Sequence, residues 1–201
     1  MFNTQIRKII LATLLVGGLS GCAAGLVGGA TAVSSVADRR TAGSQFDDQA
    51  LELKIKAKAE ARLRQITTTA VKPTLSIVSY NHRVLLLGVV GTEAERQAAE
   101  EIARAEVGVQ NVYNHISVVS SSRTYTNIGT DTVVTARVRA SLLNTDGVYP
   151  GHVKVVTYNG ITYVMGLLTP TQQEIVNQRI STTAGVQRVV TLYENYADTS
   201  Q

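Results

Sequence analysis

Catalysis or metal binding needs nucleophiles, ligands or titratable pairs at fixed spacing, and few residues here could supply them. The chain has three histidines. His82 sits between two apolar runs where a turn is expected, His115 lies in a late apolar run, and His152 comes just before another. None has a partner at metal-ligand spacing, and histidines in turns or at strand edges are expected at the surface. Glu100 and Glu101 fall among basic residues, as on a solvated helix face rather than in an acid–base pair. Glycine-rich phosphate loops and nucleophile elbows are absent, and Gly28-Gly29 belongs to a run of small residues. The expectation is therefore no catalytic residue, no metal site, no cofactor and no enzyme. Cys22 is the only cysteine, so no intrachain disulfide can form.

The remaining candidates are cations beside apolar residues. In "DTVVTARVRASLL", residues 131–143, winding at about 100° per residue gives an apolar stripe at Val134, Val138, Ser141 and Leu142. A second stripe, Val133, Ala136, Ala140 and Leu143, runs on the far side, with Arg137 and Arg139 at its edges. A helix on a small core needs one apolar face. The second either packs on another part of the chain or lies in a membrane interface, apolar wedge down and cations at phosphate level.

The N-terminus bears on that choice. "QIRKIILATLLVGGLSGC" has the order of an export signal: Arg7 and Lys8, an apolar run from Ile9 to Leu19, then small residues. The run is far shorter than the roughly twenty residues of a spanning helix. Leu19-Ser20-Gly21-Cys22 resembles the lipobox of bacterial lipoproteins, which implies diacylglycerol on Cys22, cleavage before it and acylation of the new amino group. Ala23, where an aspartate would favour inner-membrane retention, implies the outer membrane. Without residues 1–21 the chain keeps 17 basic and 15 acidic side chains, no surplus of the kind that binds nucleic acid. Residues 22–46 read as a lipidated flexible tether, holding the folded part on the order of 25 Å from the lipid. Arg39-Arg40 within it is expected to be solvated or to touch lipid phosphates.

The rest of the chain repeats itself. "VSYNHRVLLLGVVGT" (78–92) matches "VTYNGITYVMGLLT" (156–169) at an offset of 78. Each reads as two strands around a two-residue turn, and Asn159-Gly160 is a favoured type I′ pair. Capping boxes follow at Thr92-x-x-Glu95 and Thr169-Pro170-x-Gln172, opening helices to about Val107 and Ala184. Then come Gly108-Val109 and Gly185-Val186 and a last strand. Helices 48–64 and 131–144 precede the hairpins, with Asp48 and Asp131 as candidate caps. The expected fold is α+β: two tandem αββαβ units, each a small three-stranded mixed sheet with two helices on one face. The boundaries read as 1–21 signal peptide, 22–46 tether, 47–118 first unit, 119–130 linker, 131–196 second unit and 197–201 tail.

The repeat supplies an internal control. At offset 83, Leu51, Ile55 and Ala59 align with Val134, Val138 and Leu142, which marks these as the core stripe. Opposite them, Glu60 stands where the second copy has Leu143. The first helix is also rich in charge, with Lys54, Lys56, Lys58, Arg62 and Arg64, as a solvated face should be.

This order of elements, closed by helix, Gly-Val and strand, resembles the BON domain over both units. With the leader, lipobox and tether, the chain is similar to the dual-BON outer-membrane lipoproteins, particularly their division- and stress-associated, lipid-binding members. The resemblance implies a lipid-anchored protein facing the periplasm that supports envelope integrity, with a role at division sites. It also implies that the first helix of the second unit binds anionic phospholipid (phosphatidylglycerol, cardiolipin), through Val133, Ala136, Arg137, Arg139, Ala140 and Leu143 here. Those members carry an interfacial tryptophan where this chain has Val133, which implies shallower insertion; Tyr125 and Tyr149 flank the helix as interfacial rings. The alternative is an envelope adaptor whose extra stripe, or whose exposed sheet face with Tyr163 and Leu85, docks a cell-wall-remodelling or outer-membrane-assembly protein.

Overall fold

The computed structural model describes residues 38–120 and 125–197. The leader, Cys22 and most of the tether lie outside the described residues, as does the side chain of Tyr125. The first unit contains α1 (Ala42–Ile66), β1 (Thr74–Tyr80), β2 (Arg83–Val90), α2 (Glu93–Arg104) and β3 (Asn111–Val118). The second contains α3 (Tyr125–Leu143), a 3₁₀ turn (Pro150–His152), β4 (Val153–Tyr158), β5 (Ile161–Leu168), α4 (Pro170–Ser181) and β6 (Arg188–Asn195). In each sheet the hairpin strands are antiparallel and the last strand joins parallel to the middle one. The αββαβ order, the mixed sheets and both capping boxes are as expected.

The turns bear out the hairpins: Asn81, His82, Asn159 and Gly160 all have positive φ. The shared spacing to Gly88 and Gly166 has a steric cause. Each faces an edge-strand residue, Leu75 or Val153, and a Cβ at Gly88 would lie 2.3 Å from the Thr74 carbonyl oxygen.

Asp48 and Asp131 do not cap helices. α1 starts at Ala42, with the Thr41 hydroxyl accepting from the Ser44 N–H, and α3 starts at Tyr125. Both helices thus begin inside stretches that read as tether and linker, because short runs of Ala, Ser, Thr and Gly resemble a linker and a first turn equally. The two aspartates instead lie inside their helices, buried, and clamp the hairpin turns. Asp48 accepts from the Asn81 and His82 N–H groups at 2.8 and 2.9 Å, and from the Ser79 hydroxyl at 2.7 Å. Asp131 accepts from the Asn159 and Gly160 N–H groups at 2.7 and 2.9 Å. A type I′ turn points its N–H groups at the helix, and a carboxylate is the acceptor that leaves neither orphaned.

Alternation along the strands sorts residues into three cores. Leu75, Ile77, Val84, Leu86 and Val90 face α1 and α2; Val155, Val164 and Leu168 face α3 and α4. The opposite sheet faces meet each other through Val78, Tyr80, Leu85, Leu87, Tyr158, Tyr163 and Met165. The result is four layers: a helix pair, two sheets back to back, and a second helix pair. This corrects the reading of Tyr163 and Leu85 as an exposed sheet face, since they are 4% and 0% exposed. The uninterrupted apolar runs of β2 and β5 were the available signal, because a strand with one wet face alternates.

Polar contacts lock the sheets together. Lys154 donates to Glu52 at 2.6 Å and to the Ser79 carbonyl at 2.9 Å, and Arg83 pairs with Glu194 at 2.8 Å. The Tyr80 hydroxyl donates to the Gly151 carbonyl at 2.8 Å, and burial pushes its phenol up. Arg39 and Arg40 are part of this lock, a correction to their expected solvation or lipid contact. Arg39 crosses to the second unit, donating to the Leu167 carbonyl at 2.7 Å and to Gln172 at 2.6 Å, with its guanidinium 4.0 Å from the Tyr196 ring. Arg40 pairs with Asp38 and Asp48 and stacks over Tyr80.

Candidate membrane-binding surface

α3 lies on the second core through Val134, Val138 and Leu142, and Ser141 at their edge is half-buried. Val133, Ala136, Arg137, Arg139, Ala140 and Leu143 all point outward and are exposed. Val133 is 48% and Leu143 63% exposed, with Tyr149 beyond the helix end at 56%. The first unit does not cover this stripe, because the units meet through their sheets. That disposes of packing between units as the reason for the second apolar face.

The two arginines are held differently. Arg139 donates to the Val155 carbonyl at 2.8 Å, so its guanidinium is pinned along the edge strand β4. Arg137 reaches towards the loop after α4, where a Cβ on Gly185 would come within 3.5 Å of its Nη1. At the carboxyl end of α3 lies a cleft of about 360 Å³, lined by Arg139, Leu142, Leu143, Pro150, Val153 and Lys154 among others. A strip of aliphatic side chains edged by cations, with an apolar recess at one end, can receive the boundary between acyl chain and phosphate. Partly burying Val133 and Leu143 would contribute about 2–3 kcal/mol. Two arginines near anionic headgroups would add about 1 kcal/mol each.

The histidines differ from expectation. His152 is buried, 5% exposed, with its ring 5.2 Å from Tyr149. His115 is half-buried between the sheets, 5.0 Å from the Tyr163 ring, and burial, then the Arg188 charge, holds its pKa below the usual value. Their sequence neighbours do not signal burial, since Asn114 and Ile116 flank His115 and Gly151 and Val153 flank His152. Among the described residues no group of three or more His, Cys, Asp or Glu could hold a metal ion, and no helix is long and apolar enough to cross a membrane.

Sequence reasoning missed Phe46 and Leu53 as a pair. They stand on the outward side of α1, 69% and 71% exposed. Phe46 falls in the stretch that reads as tether, so periodicity along the chain does not link it with Leu53.

Comparison with known proteins places the chain. The BON domain model matches residues 47–120 and 130–192. The chain is 31% identical to outer membrane lipoprotein DolP of Haemophilus influenzae over 88% of this chain and 89% of that one. It is 30% identical to a 21 kDa hemolysin of Actinobacillus pleuropneumoniae over 76% of each. It is 26% identical to osmotically-inducible protein Y of Escherichia coli, over 83% of this chain and 84% of that one.

Proposed function

The chain belongs to the BON domain family as a two-domain outer-membrane lipoprotein, and from that premise we propose that its second domain binds anionic phospholipid through α3. Cys22 carries the lipid anchor in this reading, and the protein supports the integrity of the envelope on its periplasmic face, including at division sites. The observation that carries the proposal is the outward stripe of α3: Val133 and Leu143 stand in water beside Arg137 and Arg139 while the opposite side of the helix fills the core.

The apolar and electrostatic terms together come to about 4–5 kcal/mol, a dissociation constant of about a millimolar. Alone that is weak. A lipid anchor supplies an effective concentration of the same order, so the helix occupies the bilayer part of the time and small changes in anionic lipid content shift the fraction. The anchor keeps the protein at the membrane, and the helix selects where it dwells.

The test is sedimentation of a fragment starting at residue 38, which keeps the Arg39 and Arg40 contacts and all of α1. Vesicles contain phosphatidylcholine with and without phosphatidylglycerol or cardiolipin. Leu143→Glu and Arg137→Glu should each abolish binding to the anionic vesicles and leave the circular dichroism unchanged; binding that persists in both would sink the reading. An adaptor without lipid recognition would instead lose a crosslinked protein partner in these variants and keep the same vesicle behaviour as the parent.

A further inference from the structure

The outward side of α1 also carries large apolar side chains that nothing in the described chain covers. Phe46 and Leu53 are seven residues, two helical turns, apart and so lie on one line; Ala50 and Ala57 fall beside it. The core stripe Leu51, Ile55, Ala59 and Leu63 occupies the opposite side. Phe46 is the only phenylalanine outside the leader, and it is spent on the surface.

Cations surround the line. Of the cations flanking the line, Lys54 and Arg64 make no ion pair among the described residues. Two carboxylates lie close by: Asp47, exposed beside Phe46, and Glu60, which Lys56 offsets at 3.9 Å. The balance around the line stays positive. At the carboxyl end of α1 is a cleft of about 750 Å³ with Leu63, Val71 and Leu75 within it and Lys56, Arg64 and Lys72 at its rim.

We propose that α1 is a second bilayer-contacting face, with Phe46 and Leu53 entering the interface of an anionic leaflet and Lys54, Lys56 and Arg64 at its phosphates. Charge favours this occupant, since cations outnumber carboxylates around the apolar line. So does the anchor: Cys22 to Asp38 is 16 residues, which reach at most about 55 Å even fully drawn out, so a bilayer is always close to the start of α1. The face goes beyond the α3 reading and competes with it. In the four-layer body α1 and α3 are on opposite outer sides, so one flat bilayer takes one face at a time. An anchored molecule either turns over between them or presents the second face to another surface.

The chain contains no tryptophan, so Phe46→Trp and, separately, Leu143→Trp are single-emitter reporters. Each is made in the lipidated full chain and reconstituted on phosphatidylglycerol–phosphatidylcholine vesicles with brominated acyl chains. Emission from the Phe46→Trp protein should shift to shorter wavelength and be quenched. Both effects should be smaller on phosphatidylcholine alone and absent when Lys54→Glu and Lys56→Glu are added. Leu143→Glu in the Phe46→Trp background should increase the quenching. Water-like, unquenched emission from Phe46→Trp on the anionic vesicles overturns the proposal, even if its indole crosslinks to a protein. Quenching in Leu143→Trp but not in Phe46→Trp leaves the α3 reading standing and removes this one; the reverse removes α3 alone. If Leu143→Glu lowers the quenching of Phe46→Trp, the competition between faces is overturned.

Discussion

Helices α1 and α3 hold the same place in their domains. Each buries one aliphatic stripe on its own sheet, and each places an aspartate under the turn of its own hairpin. Outside, they diverge. α1 has a long lysine- and arginine-rich surface with a phenylalanine and a leucine on it; α3 has a short aliphatic strip with two arginines. The turns diverge as well: the first uses Asn81-His82, the second Asn159-Gly160. Duplication kept what the fold requires, a core stripe and an acceptor for the turn amides, and left the outward residues free to differ. What differs between the copies is therefore where function should be sought.

The largest effect should come from the clamps. Asp48 is 1% exposed and serves two amides, the Ser79 hydroxyl and Arg40. Asp48→Ala should cost about 3–5 kcal/mol, since it leaves two turn amides and the Ser79 hydroxyl without their acceptor and takes one of two carboxylates from Arg40, which keeps Asp38. Asp131→Ala removes a buried acceptor from two turn amides and should cost about 2–3 kcal/mol. Urea unfolding of both variants measures the gap, and equal costs would show that the extra donors on Asp48 contribute nothing.

Next comes a contrast between neighbours on one helix. Leu142 is 3% exposed and Leu143 63%. Leu142→Ala should destabilise by about 2–5 kcal/mol through the cavity it leaves. Leu143→Ala should change stability by no more than about 0.5 kcal/mol while weakening vesicle binding. Calorimetry and sedimentation on the same two samples separate core from surface; a Leu143→Ala variant that unfolds early would place that side chain in the wrong class.

Much of this was legible from sequence, for identifiable reasons. Repetition at fixed offsets exposed the αββαβ order, and Thr92-x-x-Glu95 and Thr169-x-x-Gln172 marked helix starts because their geometry is local. The core stripe at Leu51, Ile55 and Ala59 followed from comparing copies. Long-range partners were not legible. Asp48 looks like a cap in sequence because its true partners, 31 to 34 residues away, come near only when the hairpin folds onto the helix. Arg39 looks solvated because its acceptor Leu167 is 128 residues away. The outward residues of α3 stand out because the second stripe is periodic. Phe46 escapes because an early helix start hides the period.

A smaller effect tests the turns. His82 has φ 62° and Asn81 φ 51°, a conformation that costs a residue with a Cβ about 1–2 kcal/mol. Glycine relieves that cost but has more backbone freedom to lose, about 0.5–1 kcal/mol. His82→Gly, which makes the first turn resemble the second, should therefore stabilise the protein by about 0.5–1 kcal/mol. Gly160→His, the reverse exchange, should destabilise. Thermal unfolding reads both signs, and a pair of changes with the same sign would mean that the histidine side chain matters more than its backbone.

The subtlest difference lies between the sheets. His115 pairs in register with Leu87 on β2, and the matching place on β6, beside Met165, is Leu192. One side of the inter-sheet core thus titrates and the other does not. The groups facing His115 are the Tyr163 ring and the Arg188 charge. Burial first, then Arg188, disfavours the imidazolium, so the folded pKa is below the ordinary value of about 6.5. An unfolded chain then binds a proton that the folded one refuses. The stabilising contribution is complete above the unfolded value and is lost as pH falls from there through the folded one. Melting temperature should accordingly decline between neutral and mildly acidic pH. In His115→Leu, which copies the apolar side chain of the other sheet, that decline should shrink while the neutral-pH value changes little. A decline of the same size in His115→Leu would move the titrating group away from the interface between the two BON domains.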